Sequence, residues 1–205
     1  MAALWLLVGT AAGAAEPLRI LALGDSLTAG YGLDDRDGFP VQLEQALNAA
    51  GVGAQVINGG VSGDTTAGGL ARLDWALADR PQLVIVEFGA NDALRGIDPA
   101  TTAANLDAIL ARLRSDGRAV LLAGMRAPPN LGAEYASAFN AIYPTQAERH
   151  GVALYPFFLD GVAADRGLNQ HDGIHPNAAG VQVIVRRILP QVLQVIGELP
   201  TAQGG

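Results

Sequence analysis

A chain of 205 residues, half of them apolar, has material for one large core and fits one domain better than two. Its 13 basic and 20 acidic residues leave a net charge of −7 without a basic stripe, which argues against nucleic-acid binding and against recruitment to anionic lipid. With no cysteine, disulfides, thiolate catalysis and Cys-based zinc sites are excluded together, while the redox compartment stays open.

In chain order, Ala2 to Ala14 is almost wholly apolar around Leu4-Trp5-Leu6-Leu7-Val8. Ala12-Gly13-Ala14 and Gly13-Ala14-Ala15 both fit a small-residue cleavage pattern. The stretch falls short of the roughly 20 apolar residues that a bilayer span needs. Residues 1–15 therefore read as a signal peptide, with the mature protein starting near Ala15 or Glu16 in the periplasm or outside the cell. No Lys or Arg precedes the run, so an ordered N-terminal strand or helix stays open as the alternative.

Beyond it, short apolar runs alternate with helical periodicity. The runs are Leu18 to Leu23, Ala54 to Ile57, Leu83 to Phe88, Ala119 to Ala123 and Val152 to Tyr155. Such continuous runs suit parallel strands buried on both faces. Helices are expected over Gln42 to Ala50, after the Asp98-Pro99 cap, over Ala133 to His150 and over Asn177 to Ile196. Leu106, Ile109, Leu110 and Leu113 form one buried stripe in the second of these. Pro190 is expected to kink or divide the last. The domain should span 16–197, with 198–205 a flexible tail. Strand–helix alternation over this length predicts a three-layer, doubly wound α/β domain around a parallel sheet. Ligands in such sheets bind beyond the carboxyl ends of the strands.

Glycines and polar residues collect where those ends should lie. Gly24-Asp25-Ser26-Leu27-Thr28 follows the first strand, Asn58 to Thr65 the second, and Gly89-Ala90-Asn91-Asp92 the third. Asp172-Gly173-Ile174-His175-Pro176 precedes the last helix. Acyl transfer needs a hydroxyl, a base to take its proton, a carboxylate to orient that base, and donors for the oxyanion. Ser26, at a strand-to-helix turn, fits the nucleophile. His175 fits the base, and Asp172 can reach its ring from a tight turn. Gly63 offers a backbone N–H without a Cβ in the way, and Asn91 an uncharged amide with two donors.

Together these segments resemble the GDSL, or SGNH, hydrolase family, whose four lettered roles have candidates in order at Ser26, Gly63, Asn91 and His175. The resemblance covers about residues 18 to 197 and is greatest to the bacterial multifunctional thioesterase I, lysophospholipase and arylesterase branch. It is carried further by Ser62-Gly63-Asp64-Thr65, Gly69-Leu70-Ala71-Arg72-Leu73, Asn91-Asp92-Ala93-Leu94-Arg95-Gly96 and Asp172 to Asn177. Ala90 departs from that branch, which often has glycine there. The resemblance implies a flavodoxin-like sheet of order 2-1-3-4-5 and an oxyanion hole of Ser26 N–H, Gly63 N–H and the Asn91 amide. It also implies a mobile Asp92–Ile97 segment beside an acyl groove, and no metal or organic cofactor. The expected substrate is a small acyl ester or thioester, handled by a monomer that is not inserted in the membrane.

Each motif alone has a plainer role: Ser26 as a helix cap, Gly63 as a left-handed turn, Asn91 as a loop residue, Asp172 and His175 as a structural ion pair. Their joint occurrence in order favours chemistry. Asp25 and Asp92 are expected to shape their turns. His171 is the rival base and makes an H-x-x-x-H spacing with His175. Gly173 and Pro176 argue against the continuous helix a metal site would need there. His150 is expected at a surface helix end. Leu94, Met125, Ala127, Pro128 and Pro129 are expected to wall an acyl chain, and Arg95 either meets substrate or forms a surface ion pair. A carbohydrate O-acetyl esterase and a non-catalytic α/β binding domain remain the alternatives.

Overall fold

The computed structural model describes residues 16–199; the leader expected at 1–15 and residues 200–205 of the tail lie outside the described residues. Glu198 and Leu199 are not loose: their N–H groups bond back to Gln194, Val195 and Ile196 carbonyls.

Five parallel strands form one sheet in the order β2-β1-β3-β4-β5, as the resemblance implied. They are β1 (Leu18–Gly24), β2 (Ala54–Gly60), β3 (Leu83–Glu87), β4 (Ala119–Ala123) and β5 (Ala153–Tyr155). The central three are buried along nearly their whole length, which is why they read as unbroken apolar runs. The edge strand β2 alternates instead and is longer than its apolar run, because Asn58, Gly59 and Gly60 pair with Ala22, Leu23 and Gly24. A Cβ at Gly60 would meet Ala29 N at 2.3 Å, so only glycine lets α1 (Ser26–Ala29) cross this closely.

On one face α2 (Phe39–Ala49) packs against α8 (Ala178–Gly197). On the other, α3 (Thr66–Ala71) and α6 (Pro99–Ser115) lie with α7 (Ala133–His150). The short α4 (Leu73–Ala76) and α5 (Ala90–Leu94) complete the set. The expected stripe of Leu106, Ile109, Leu110 and Leu113 is fully buried. Helix α8 has the length and apolarity of a membrane span, yet Val181, Ile184, Val185, Ile188 and Val192 are buried in the core.

Pro190 does not divide α8, and Pro144 likewise sits inside α7. Both prolines are exposed, as are Asn140 and Arg186 four residues earlier, whose carbonyls lose their helical donor, so each break in the ladder lies on the outer face of its helix. His150 ends α7 and meets Asp107 of α6 at 2.7 Å, so it fastens two helices as well as facing a helix end.

In register, Gly24 stands between Gly60 and Glu87, so the loops after β1, β2 and β3 leave the sheet side by side. That edge gathers the polar segments.

Candidate active site

Ser26 opens α1 immediately after β1. Asp25 caps this helix, accepting from Leu27 N at 3.0 Å, and is fully buried. His175 Nε2 stands 3.0 Å from Ser26 Oγ, across 149 residues of sequence. Its Nδ1 lies 2.6 Å from Asp172 Oδ2.

The turn that carries His175 is fixed several times over. Asp172 Oδ1 accepts from the N–H groups of Ile174 and His175, and Gly173 turns the chain at φ +70°. Gln170 N–H donates to the His175 carbonyl, and Gln170 Nε2 donates to Tyr31 and Pro176 carbonyls. The Tyr31 ring lies 4.6 Å from the imidazole, centre to centre. Hydrogen bonds from the His175 ring and from two backbone N–H groups hold the Asp172 carboxyl down to about 2. An ionised carboxylate on Nδ1 leaves Nε2 free to accept a proton from Ser26.

Among the described residues, the Ser26 and Gly63 N–H groups donate to no protein acceptor. Gly63 sits at φ +84°, while an added Cβ would find nothing nearer than Arg95 Nη2 at 3.7 Å. The backbone conformation, rather than lack of space, asks for glycine here. Asn91, in the first turn of α5, is more constrained than its sequence suggests. Its Nδ2 donates to Asp25 Oδ2 at 3.0 Å and to the Asp64 carbonyl at 2.9 Å.

Asp92 shapes its turn, as expected: buried, it accepts from Thr66 N–H, Thr66 Oγ1 and Thr102 Oγ1. Among the described residues Arg95 makes no ion pair; it donates to the Gly63 carbonyl at 2.7 Å. His171 is exposed in an open cavity of about 1080 Å³ lined also by Tyr31, Arg166 and Asp172 and not by Ser26. No cluster of metal-ligating side chains occurs among the described residues.

The substrate wall needs correction. Met125 is 3% exposed and belongs to the core, because Gly124 pairs with Tyr155 and draws the segment inward. Pro128 is half-buried, and Leu94 is 54% exposed. Tyr31, Val61 and Ile174 were not singled out in the sequence, yet each is an exposed apolar side chain within five residues in sequence of Ser26, Gly63 or His175. Their only sequence signal was adjacency to those residues.

A parallel α/β sheet with a Ser–His–Asp relay and free N–H groups at its carboxyl edge has the architecture of an ester-cleaving hydrolase. The sequence profile of the GDSL-like Lipase/Acylhydrolase family matches residues 22–183. Esterase TesA of Pseudomonas aeruginosa is 42% identical over 172 residues, 83% of this chain and 86% of the relative. The Escherichia coli K12 protein named thioesterase 1/protease 1/lysophospholipase L1 is 41% identical, over 81% of this chain and 78% of the relative. The crystal structure of AlinE4, an SGNH-hydrolase family esterase, shares 49% identity with a TM-score of 0.75, covering 91% of this chain and 98% of that one. The chain belongs to the GDSL-like lipase/acylhydrolase family. It is an ester-bond hydrolase.

Proposed function

We propose that this enzyme cleaves acyl esters and thioesters through an acyl-enzyme on Ser26, with His175 as base and Asp172 as the carboxylate that orients it. The observation that carries this reading is the unbroken relay from Asp172 Oδ2 through the imidazole to Ser26 Oγ, at 2.6 and 3.0 Å. Ser26 Oγ attacks the acyl carbonyl as its proton passes to His175 Nε2. The oxyanion forms against the Ser26 and Gly63 N–H groups and the Asn91 amide. His175 then returns the proton to the departing oxygen or sulfur, and a water, activated the same way, releases the acid.

Asn91 contributes from a position anchored by Asp25 and Asp64, so its donor to the oxyanion is shared with one of those acceptors. Thioester cleavage is supported by the name of the Escherichia coli relative and by chemistry: the oxyanion and relay serve either leaving atom. Acyl chains longer than acetyl are supported by the exposed Leu94, Val61 and Ile174, close in sequence to Asn91, Gly63 and His175. A cavity of about 620 Å³ lies beyond the 92–97 segment, lined by Pro99, Ala100, Leu131, Ala133 and Tyr135 among others.

The chain acts as a monomer outside the cytoplasm, free of the membrane once its leader is removed. The apolar run before Ala15 supports export, and intact mass of the exported protein should begin near Ala15 or Glu16. The test of the reaction is a fluorophosphonate probe. The adduct should map to Ser26 by mass and vanish in Ser26→Ala; labelling elsewhere, or undiminished labelling in that variant, refutes the assignment.

A further inference from the structure

Glu87 closes β3 as an acidic residue in an otherwise apolar strand, 1% exposed and without a part in the relay. Its Oε2 accepts from Thr28 Oγ1 at 2.8 Å and from Asp25 N–H at 3.3 Å. Its Oε1 is buried and meets no protein hydrogen-bond partner among the described residues. The surroundings are tight: a Cβ at Gly24 would come within 2.6 Å of Oε2.

Among the described residues no cation bonds to this carboxyl. Arg72, between α3 and α4, commits Nε to Asp64 and Nη2 to the Gly24 carbonyl, and its buried Nη1 meets no hydrogen-bond partner. The Tyr143 hydroxyl from α7 donates to the Phe88 carbonyl, and Asp92 in α5 is bound to Thr66 and Thr102. An ionised carboxylate with one oxygen orphaned in such a place is very costly, whereas a protonated one has a hydrogen to give. The neighbour able to take it is Asp25, which also accepts from Leu27 N–H and from Asn91. Across the site, His175 acts on Asp25 through its field when it carries a proton.

We propose that Glu87 is a positioning residue: as a neutral carboxylic acid it donates to Asp25 and keeps Asp25 the anion that anchors the Asn91 amide beside Ser26. One proton thus serves two buried carboxyls, and the negative charge sits on the one that touches the site. Burial, then the charge of Asp25, pushes Glu87 well above the carboxylate range. Asp25 rises only to about 6, because the Leu27 N–H, the Asn91 amide and the Glu87 hydrogen bond all favour its ionised form. The inference rests on Asn91 acting in the proposed reaction.

The experiment compares wild type with Glu87→Gln and Glu87→Leu. The infrared C=O band of a protonated carboxylic acid should be present in wild type at neutral pH and missing from Glu87→Gln. Gln is neutral, of like size, and keeps a donor, so its kcat should stay within about threefold of wild type. Leu removes the donor and should lower kcat roughly 10- to 100-fold with little change in KM. Absence of a Glu87 acid band at neutral pH overturns the proposal, as does a kcat loss in Gln equal to that in Leu. Should Glu87→Leu not fold, the band and the Gln kcat decide alone. The band does not depend on turnover, so it persists in Ser26→Ala, and failure of the proposed nucleophile is read separately.

Discussion

Arg95 donates from Nη2 to the Gly63 carbonyl at 2.7 Å and so ties the end of α5 to the loop after β2. Asn91 and Gly63, the groups proposed to face one oxyanion, are thereby held as one unit. Arg95→Met keeps the apolar stem and removes the donor. It should lower kcat roughly 2- to 12-fold, the worth of about 0.5–1.5 kcal/mol for one such bond. Thermal stability should hardly move, because the bond lies at the surface. A change confined to KM would instead make Arg95 a substrate contact.

Ser26→Ala should leave a folded enzyme with turnover lowered on the order of 10⁶, the loss known from removing a triad serine. His175→Ala should be comparably severe. His171→Ala should be mild, since His171 is exposed in an open cavity and, among the described residues, makes no side-chain hydrogen bond to Ser26, Asp172 or His175. Steady-state kinetics on one ester rank the three, and a reversed order of the two histidines would mean the base was chosen wrongly.

Asn91→Ala should lower kcat roughly 10²- to 10³-fold with a smaller change in KM, as for other single oxyanion donors. It also strips Asp25 of a favourable partner, so Asp25 should titrate higher in the variant. A loss confined to KM would make Asn91 a ground-state binding residue. Asp64→Asn is not a neutral control for this experiment. The Asp64 carboxylate pairs with Arg72 at 2.6 Å in a largely buried place, and breaking that pair should cost stability.

The sheet and the relay were legible because both leave local marks. Buried central strands are unbroken apolar runs, and each chemical segment follows one of them or precedes a capped helix. What stayed hidden depends on packing between distant elements. Asn58 to Gly60 look like loop and become strand because β1 supplies the ladder. Pro190 looks like a break and is tolerated because tertiary structure turns it outward. Met125 looks available to substrate and is drawn inward by pairing at Gly124. Glu87 looks like a lapse in a strand, and its meaning comes only from Thr28 and Asp25 around it.

Two acids near the site should bend the stability curve in opposite directions. Asp172 sits at about 2 in the folded protein, below its ordinary 3.8, chiefly through its hydrogen bond with His175. Its contribution is complete above 3.8 and is lost as pH falls toward about 2. Asp25 is raised to about 6 by burial, so its contribution is complete below 3.8 and is lost as pH rises through about 6. Thermal midpoints should therefore fall less with acid in Asp172→Asn, and fall less between 3.8 and about 6 in Asp25→Asn. Parallel curves for both variants and wild type would show that neither acid carries the linkage.

Substrate preference follows from what lines the mouth. Tyr31, Val61, Leu94 and Ile174 are all exposed, each lies within five residues in sequence of Ser26, Gly63, Asn91 or His175, and Tyr31 also packs 4.6 Å from the His175 ring. A sugar acetate would present hydroxyls there that lose water bonds, and Val61, Leu94 and Ile174 offer them no side-chain donor in return. An acyl chain gains about 0.8 kcal/mol for each CH₂ it buries, or roughly fourfold in kcat/KM. Over p-nitrophenyl esters, kcat/KM should accordingly climb beyond acetate until the apolar surface is filled, and acyl thioesters of equal chain length should follow the same trend. Leu94→Ser should flatten the climb, and acetate turnover should stay nearly unchanged if only longer chains contact that exposed side chain. Faster turnover of acetylated oligosaccharides than of butyryl or longer esters would reverse the assignment and make this a deacetylase.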